Sequence, residues 1–229
     1  MARWAAGFDR SHPVEIFTLS YDLLMEQALE RAQVAYFDGF LGSFQPFLDL
    51  RTMEEDTLPT RWARLWKMHG SINWKMKDGQ AFRTADWSSA NIEGALIHPS
   101  HMKYDQSRRM PYLAMQDRLR AFMKQPGAAI ITIGYSFGDQ HINELIEEGL
   151  RVNQAAVCFG LLFDKLANFR EATEFATRST NLRLQAPDAA VIGGREGAWE
   201  RGPAGGALPN LGDFNEFGRL LARLTAPRS

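Results

Sequence analysis

Three short polar clusters hold residue types that can do chemistry, and each stands where an apolar run stops. They are Thr18-Leu19-Ser20-Tyr21-Asp22, Lys67-Met68-His69-Gly70-Ser71, and Gly134-Tyr135-Ser136-Phe137-Gly138-Asp139 after Ile130-Ile131-Thr132-Ile133. In an open α/β sheet ligands bind outside the carboxyl ends of the parallel strands, so polar groups there are candidates for function rather than packing. His69 has the chemistry of a general base, because imidazole titrates near about 6.5 and exchanges a proton at neutral pH. Gly70 beside it lets backbone approach a ligand closely. Asp22 supplies a carboxylate and Ser20 a hydroxyl. Gly134, Ser136 and Phe137 lie in a strand-to-helix turn, where backbone N–H groups and a helix N-terminus suit a phosphate. Each cluster also has a purely structural reading: Asp22 as a helix cap, His69 as a packed histidine, the glycine turn as a tight βα connection.

The elements that must position these groups follow from periodicity. Val14–Ser20 reads as a strand, and Asp22–Arg31 as a helix with Leu23, Leu24, Ala28 and Leu29 on one face. Residues 34–110 form a loop-rich insertion marked by Gly39, Gly42, Pro46 and Pro59. Within it Arg61–Met68, alternating basic and apolar, reads as a strand delivering His69. Ile72–Met76 and Gln80–Thr84 make a short hairpin across Lys77-Asp78-Gly79, and Leu96-Ile97-His98 a brief strand. Pro111 opens a helix over Tyr112–Lys124, with Leu113, Met115, Leu119, Phe122 and Met123 as its apolar stripe. Ala128–Ile133, continuous and β-branched, reads as a parallel strand covered on both faces. A helix capped near Asp139 runs through Leu150, Ala156–Phe163 returns as a strand, and Lys165–Ala176 as a helix. Gly193–Gly206 reads as a glycine-rich segment, mobile or folded over a ligand, and Asp213–Leu224 as a closing amphipathic helix. The fold class is α/β, a parallel sheet flanked by helices with a small loop-and-hairpin insertion, in a single domain over 1–229.

Composition narrows the function. With 229 residues, 45% hydrophobic and 23% charged, the chain can build one sizeable core. A net charge of −1 with interleaved signs gives no electrostatic footprint for nucleic acid or an anionic membrane surface. Cys158 is the one cysteine; it sits inside Ala156–Phe163 and reads as a buried structural thiol, so disulfides and cysteine zinc sites within the chain are excluded. His98, His101 and His141 match no metal-ligand spacing, and no zinc is expected. The dinucleotide fingerprint G-x-G-x-x-G and the P-loop are absent. No secretory leader or long apolar segment is evident, which makes a cytoplasmic protein the expectation.

Together the clusters resemble the sirtuin-like family, and within it the bacterial branch that hydrolyses NAD in anti-phage defence. A Thr-x-Asn-Tyr-Asp pattern of that branch corresponds to Thr18–Asp22, its Leu-His-Gly-Ser to Met68–Ser71, and its Gly-Tyr-Ser-Phe-Gly-Asp to Gly134–Asp139, continued by His141-Ile142-Asn143. Leu211-Gly212-Asp213-Phe214 resembles its closing helix. The resemblance implies a Rossmann-like fold and NAD as substrate or ligand. His69, Ser20 and Asp22 would be the catalytic residues, while Thr18, Ser20, Tyr21, Asp22, Gly70, Gly134, Ser136 and Phe137 would bind the dinucleotide. It also implies a possible sensor or effector partner and possible self-assembly. Three departures stand out. Ser20 replaces the family's asparagine with a shorter polar reach. The family's opening strand and Gly-Ala-Gly-x-Ser loop have no counterpart between Met1 and His12, which offer only Gly7, so an N-terminally truncated domain is expected. The cysteine pairs of the deacylase zinc module are missing. A catalytically impaired module that binds NAD, ADP-ribose or a partner is therefore the alternative to an active hydrolase.

Overall fold

The computed structural model describes residues 1–6, 11–84, 93–96, 110–199 and 209–225. They fall into two compact units, Met1–Leu119 and Arg120–Ser229. In the first, α1 (Ala2–Ala6), β1 (Glu15–Thr18), α2 (Leu24–Arg31), β2 (Tyr36–Phe37), β3 (Phe40–Leu41), β4 (Phe47–Leu48) and α3 (Leu50–Glu55) precede β5 (Ala63–Lys67). After it come β6 (Gly70–Lys77), β7 (Gln80–Arg83), β8 (Glu93–Leu96) and the start of α4 (Tyr112–Met123).

Three of these strands form a parallel sheet in the order β1-β5-β2, with Glu15 opposite Arg64 and Thr18 opposite Lys67. The central strand β5 is buried along its whole length, Arg64 and Lys67 included, so its basic residues do not alternate out to solvent. They are tolerated inside because each meets an acid: Asp56 lies 2.8 Å from Arg64, and Glu26 lies 2.9 Å from Lys67. The same pairing turns α2. Its buried residues are Glu26 and Leu29, while Leu24 and Ala28, expected on the apolar face, are exposed. Ala5, Ile16, Leu29, Val34, Ala63 and Leu65 make an apolar cluster of α1, α2 and the sheet. Elsewhere in the unit Phe37 packs edge-on to Trp66 at 6.0 Å, and the Arg118 guanidinium of α4 stacks 5.2 Å from the Trp66 ring. Asp56 joins Arg118 (3.0 Å) to Arg64, and Glu15 accepts the Trp66 indole N–H (2.7 Å). Burial raises the Glu15 carboxyl above its ordinary range, against the lowering pull of that bond and of Arg118.

The insertion is more ordered than its glycines and prolines suggest. It holds an antiparallel sheet in the order β3-β4-β7-β6-β8, of which the expected hairpin is one part. The hairpin turns at Asp78-Gly79, both at positive φ (51° and 76°), between paired Lys77 and Gln80. Asp38 anchors it, accepting from Phe40 N (3.2 Å) and from Arg83 (2.8 Å). The Leu96 strand is β8, Glu93–Leu96; Ile97, His98 and His101 lie outside the described residues.

In the second unit β9 (Ala129–Ile133), α5 (Gln140–Val152), β10 (Val157–Leu161), a 3₁₀ turn (Leu166–Asn168), α6 (Arg170–Arg178) and β11 (Leu182–Gln185) alternate. β12 (Ala189–Ile192), β13 (Arg195–Ala198) and α7 (Phe214–Thr225) follow. Strands β9, β10 and β11 are parallel, and β12 and β13 add antiparallel, giving the order β13-β12-β11-β10-β9. Each unit thus contains a parallel α/β sheet of the Rossmann-like kind. Strand β9 corrects one expectation: it is the edge of its sheet, not a strand covered on both faces, and Ile131 is 49% exposed. A second correction concerns Gly193–Gly206, whose first part is ordered. Gly193 and Gly194 (φ 59° and 78°) make the two-residue turn of the β12–β13 hairpin, and Trp199 donates its indole N–H to the Ala186 carbonyl (2.8 Å). Asp139 and Asp213 cap α5 and α7, each accepting two backbone N–H bonds. Among the described residues no helix is long and apolar enough to cross a membrane.

Candidate functional site

The parallel register of β1 and β5 sets two of the three clusters side by side. Because Thr18 pairs with Lys67, the chain leaving β1 (Leu19–Leu23) and the turn leaving β5 (Met68–His69) issue from adjacent strand ends. They are then laced together. Met68 N–H donates to the Thr18 carbonyl (2.9 Å) and Ile72 N–H to the Tyr21 carbonyl (3.0 Å). The fully buried Ser71 hydroxyl donates to the same Tyr21 carbonyl (3.3 Å). Gly70 has φ 86°, a left-handed value that glycine adopts without strain, and it turns the backbone from β5 straight into β6 with His69, half-buried, at the corner.

The first loop has its own hydrogen-bond logic. The Ser20 N–H donates to the Thr18 hydroxyl (3.1 Å), the Ser20 hydroxyl donates to Asp22, and the Leu24 N–H donates to the other Asp22 oxygen (2.9 Å). The N-cap position of α2 is Leu23, not Asp22 as expected; Asp22 stands one residue earlier and closes a local turn onto the Leu24 N–H, and both Ser20 and Asp22 remain exposed. The Ser20 hydroxyl first, and the Leu24 N–H next, hold the Asp22 carboxyl below its usual range. Beneath this loop lies a pair that the sequence did not single out. The Lys67 ammonium donates to the Asp22 main-chain carbonyl and to Glu26 Oε1 (2.9 Å), with Lys67 1% and Glu26 8% exposed. The signal was available as a basic residue inside a strand core with an acid one turn into the preceding helix.

The third cluster lies in the second unit. Gly134 (φ 66°) and Ser136 are exposed at the end of β9. Phe137 is fully buried, backbone included: its ring packs 4.8 Å from Tyr135 and 6.2 Å from Phe175, which makes it a core residue rather than the ligand-facing one expected. Phe137 also has a left-handed φ of 61°, and Asn143 Nδ2 donates to its carbonyl (2.6 Å) while the Tyr135 hydroxyl reaches Asn143 Oδ1 (2.7 Å). Burial, then the Asp139 charge, pushes the Tyr135 hydroxyl pKa up. Two of the N–H groups at the start of α5 are bound by Asp139 and are therefore spent on the cap. Cys158 in β10 is fully buried, and burial pushes its thiol up to about 12, the behaviour of an inert structural cysteine. Among the described residues no group of three His, Cys, Asp or Glu is placed to hold a metal ion.

A family model described as SIR2-like domain matches residues 14–179, a span that begins just before β1 and takes in all three clusters. The chain belongs to the SIR2-like domain family. A comparison with curated proteins gives no match. SIR2-like domains are NAD-related, and the Rossmann-like parallel sheets described above agree with that membership.

Proposed function

We propose that this SIR2-like domain hydrolyses NAD at the nicotinamide–ribose bond and that it serves bacterial anti-phage defence by depleting NAD. The observation that carries the reading is the pairing of Thr18 with Lys67, which puts Ser20, Asp22 and the His69 turn at neighbouring carboxyl ends of parallel strands. The reaction passes through a sugar cation: the C1′–N bond breaks, its electron pair leaves with nicotinamide, and a water oxygen adds to C1′. His69 takes the proton from that water or from a ribose hydroxyl. Asp22, held ionised by Ser20 and Leu24, supplies negative charge for the developing cation. Ser20 offers a short hydroxyl for the ribose, Thr18 and Tyr21 shape the loop, and Gly70 admits the ligand beside His69. Taken by itself, the exposed turn at Gly134 and Ser136 in the second unit is a candidate for contact with a phosphate.

One observation favours a second reading, a module that binds NAD or ADP-ribose without cleaving it. The Ser20 hydroxyl and the Asp22 carboxylate are bonded to each other, so part of the polar reach of the loop is spent internally. Titration with NAD, followed by measurement of released nicotinamide, separates the two. Release by the wild-type protein and its fall by about 10²–10⁴-fold in His69→Ala is the expected result. Unchanged turnover in His69→Ala removes the base from the mechanism, and binding without release leaves the module.

A further inference from the structure

The pair under the Ser20–Asp22 loop is poorly built for stability alone. Lys67 and Glu26 are both inside the protein, and Glu26 Oε2 has no hydrogen-bond partner. A buried ion pair of this kind contributes little net stability compared with apolar side chains of the same volume, because desolvation offsets the attraction. What the lysine does contribute is a fixed connection. It stands on the last residue of β5, two residues before His69, and its ammonium reaches across to the main-chain carbonyl of Asp22 and to α2. A lysine is suited to this role, since its three donors can serve a carbonyl and a carboxylate at once.

We propose that Lys67 is a positioning residue for the NAD site, clamping the peptide of Asp22 to β5 so that the Ser20–Asp22 turn and the His69 corner keep one relative geometry. Glu26 acts as the counter-charge that holds the ammonium in the clamp. The inference deepens the hydrolase reading and rests on it for its catalytic consequence, while the clamp itself is a property of the first unit. Misplacement of a catalytic group by about 1 Å costs on the order of 10²-fold in rate, with little change in ground-state binding.

The test is the double variant Lys67→Met/Glu26→Met, which removes both charges and keeps the volume, with Lys67→Gln/Glu26→Gln as a second variant that keeps a polar pair but is too short to hold the carbonyl. Two measurements are made on protein with a retained cooperative thermal transition. The first is deuterium exchange of the Leu24 amide, which donates to Asp22, against that of Met68 between β1 and β5. Exchange at Leu24 is expected to quicken by about tenfold while Met68 is unchanged. The second is nicotinamide release, expected to lose about 10²-fold in kcat with KM for NAD nearly constant. Equal Leu24 exchange in the variants and the wild type overturns the clamp, whatever the activity. Quickened exchange with undiminished kcat overturns its positioning role, and a wild-type protein that releases no nicotinamide overturns the hydrolase reading while the exchange result still decides the clamp.

Discussion

Replacing Asp56 by asparagine isolates the charge that holds the first unit's other buried cluster. Asp56 sits at the end of α3 with φ 43°, a left-handed conformation that asparagine adopts as readily, so the backbone is not disturbed. Its carboxylate meets Arg64 (2.8 Å) and Arg118 (3.0 Å), whose side chains are 1% and 10% exposed. Removing one partner of a buried pair costs about 3–5 kcal/mol. Here the loss is smaller, because Arg64 keeps the Leu58 and Trp62 carbonyls (3.1 and 2.9 Å) and Arg118 keeps the Met53 carbonyl (2.8 Å). Asp56 is itself 27% exposed, and the asparagine oxygen still accepts one bond. A loss of about 2–3 kcal/mol follows, which for a chain of this size lowers Tm by roughly 5–10 °C. Urea unfolding followed by tryptophan fluorescence measures it, with Trp66 in the stack under Arg118 as a reporter. Glu55→Gln is the control: the Arg51–Glu55 pair is 84% and 48% exposed, and its loss should be close to neutral. A cost below about 1 kcal/mol for Asp56→Asn, the value of a surface bridge, would refute the claim that this cluster behaves as buried charge.

Gly212→Ala should lower stability by at least about 1–3 kcal/mol in thermal unfolding, because an added Cβ would stand 2.2 Å from the Leu162 carbonyl carbon and oxygen, which as backbone yield little. In Ser20→Ala the Asp22 carboxyl should titrate closer to its usual 3.8, since the Ser20 hydroxyl is the largest cause of its lowering; a carbon-detected NMR titration reads the shift, and no movement rejects the bond. The sign for stability is that of a depressed acid: the contribution of Asp22 is present above the unfolded value of 3.8 and is lost as pH falls through the lower folded value. Cys158 is fully buried and its burial raises the thiol pKa, so thiol reagents should label it only after unfolding. Rapid labelling of the native protein would contradict its burial.

The long periodic elements were legible from sequence, and the short ones were not. Strand β1, the alternating strand that delivers His69 and helices α4 to α7 all carry an apolar pattern that one element suffices to explain. The sheet around β3 and β4 escaped because each is two residues long, broken by Gly39, Gly42 and Pro46, and is defined by partners distant from its own pattern, β3 by β4 and β4 by β7 as well. Within Gly193–Gly206, whose composition reads as mobile or folded over a ligand, the opening Gly193-Gly194 pair is also a hairpin signal. Strand β9 reads as covered on both faces because Ile130, Ile131 and Ile133 are apolar on both, and local pattern carries no information on neighbours. At the site, the histidine, serine and aspartate could be picked out by type. Lys67 could not, because a basic residue in an alternating strand reads as solvated until its register with Thr18 and its reach to Glu26 are known.

The double acceptance at the Tyr21 carbonyl has a mechanical consequence. With Ile72 N–H and the Ser71 hydroxyl both bonded to that one oxygen, the Tyr21–Asp22 peptide is riveted to the first residues of β6 just past His69. Lifting Tyr21 away from β6 means breaking both bonds, and short of that the Tyr21 carbonyl moves with Ser71 and Ile72.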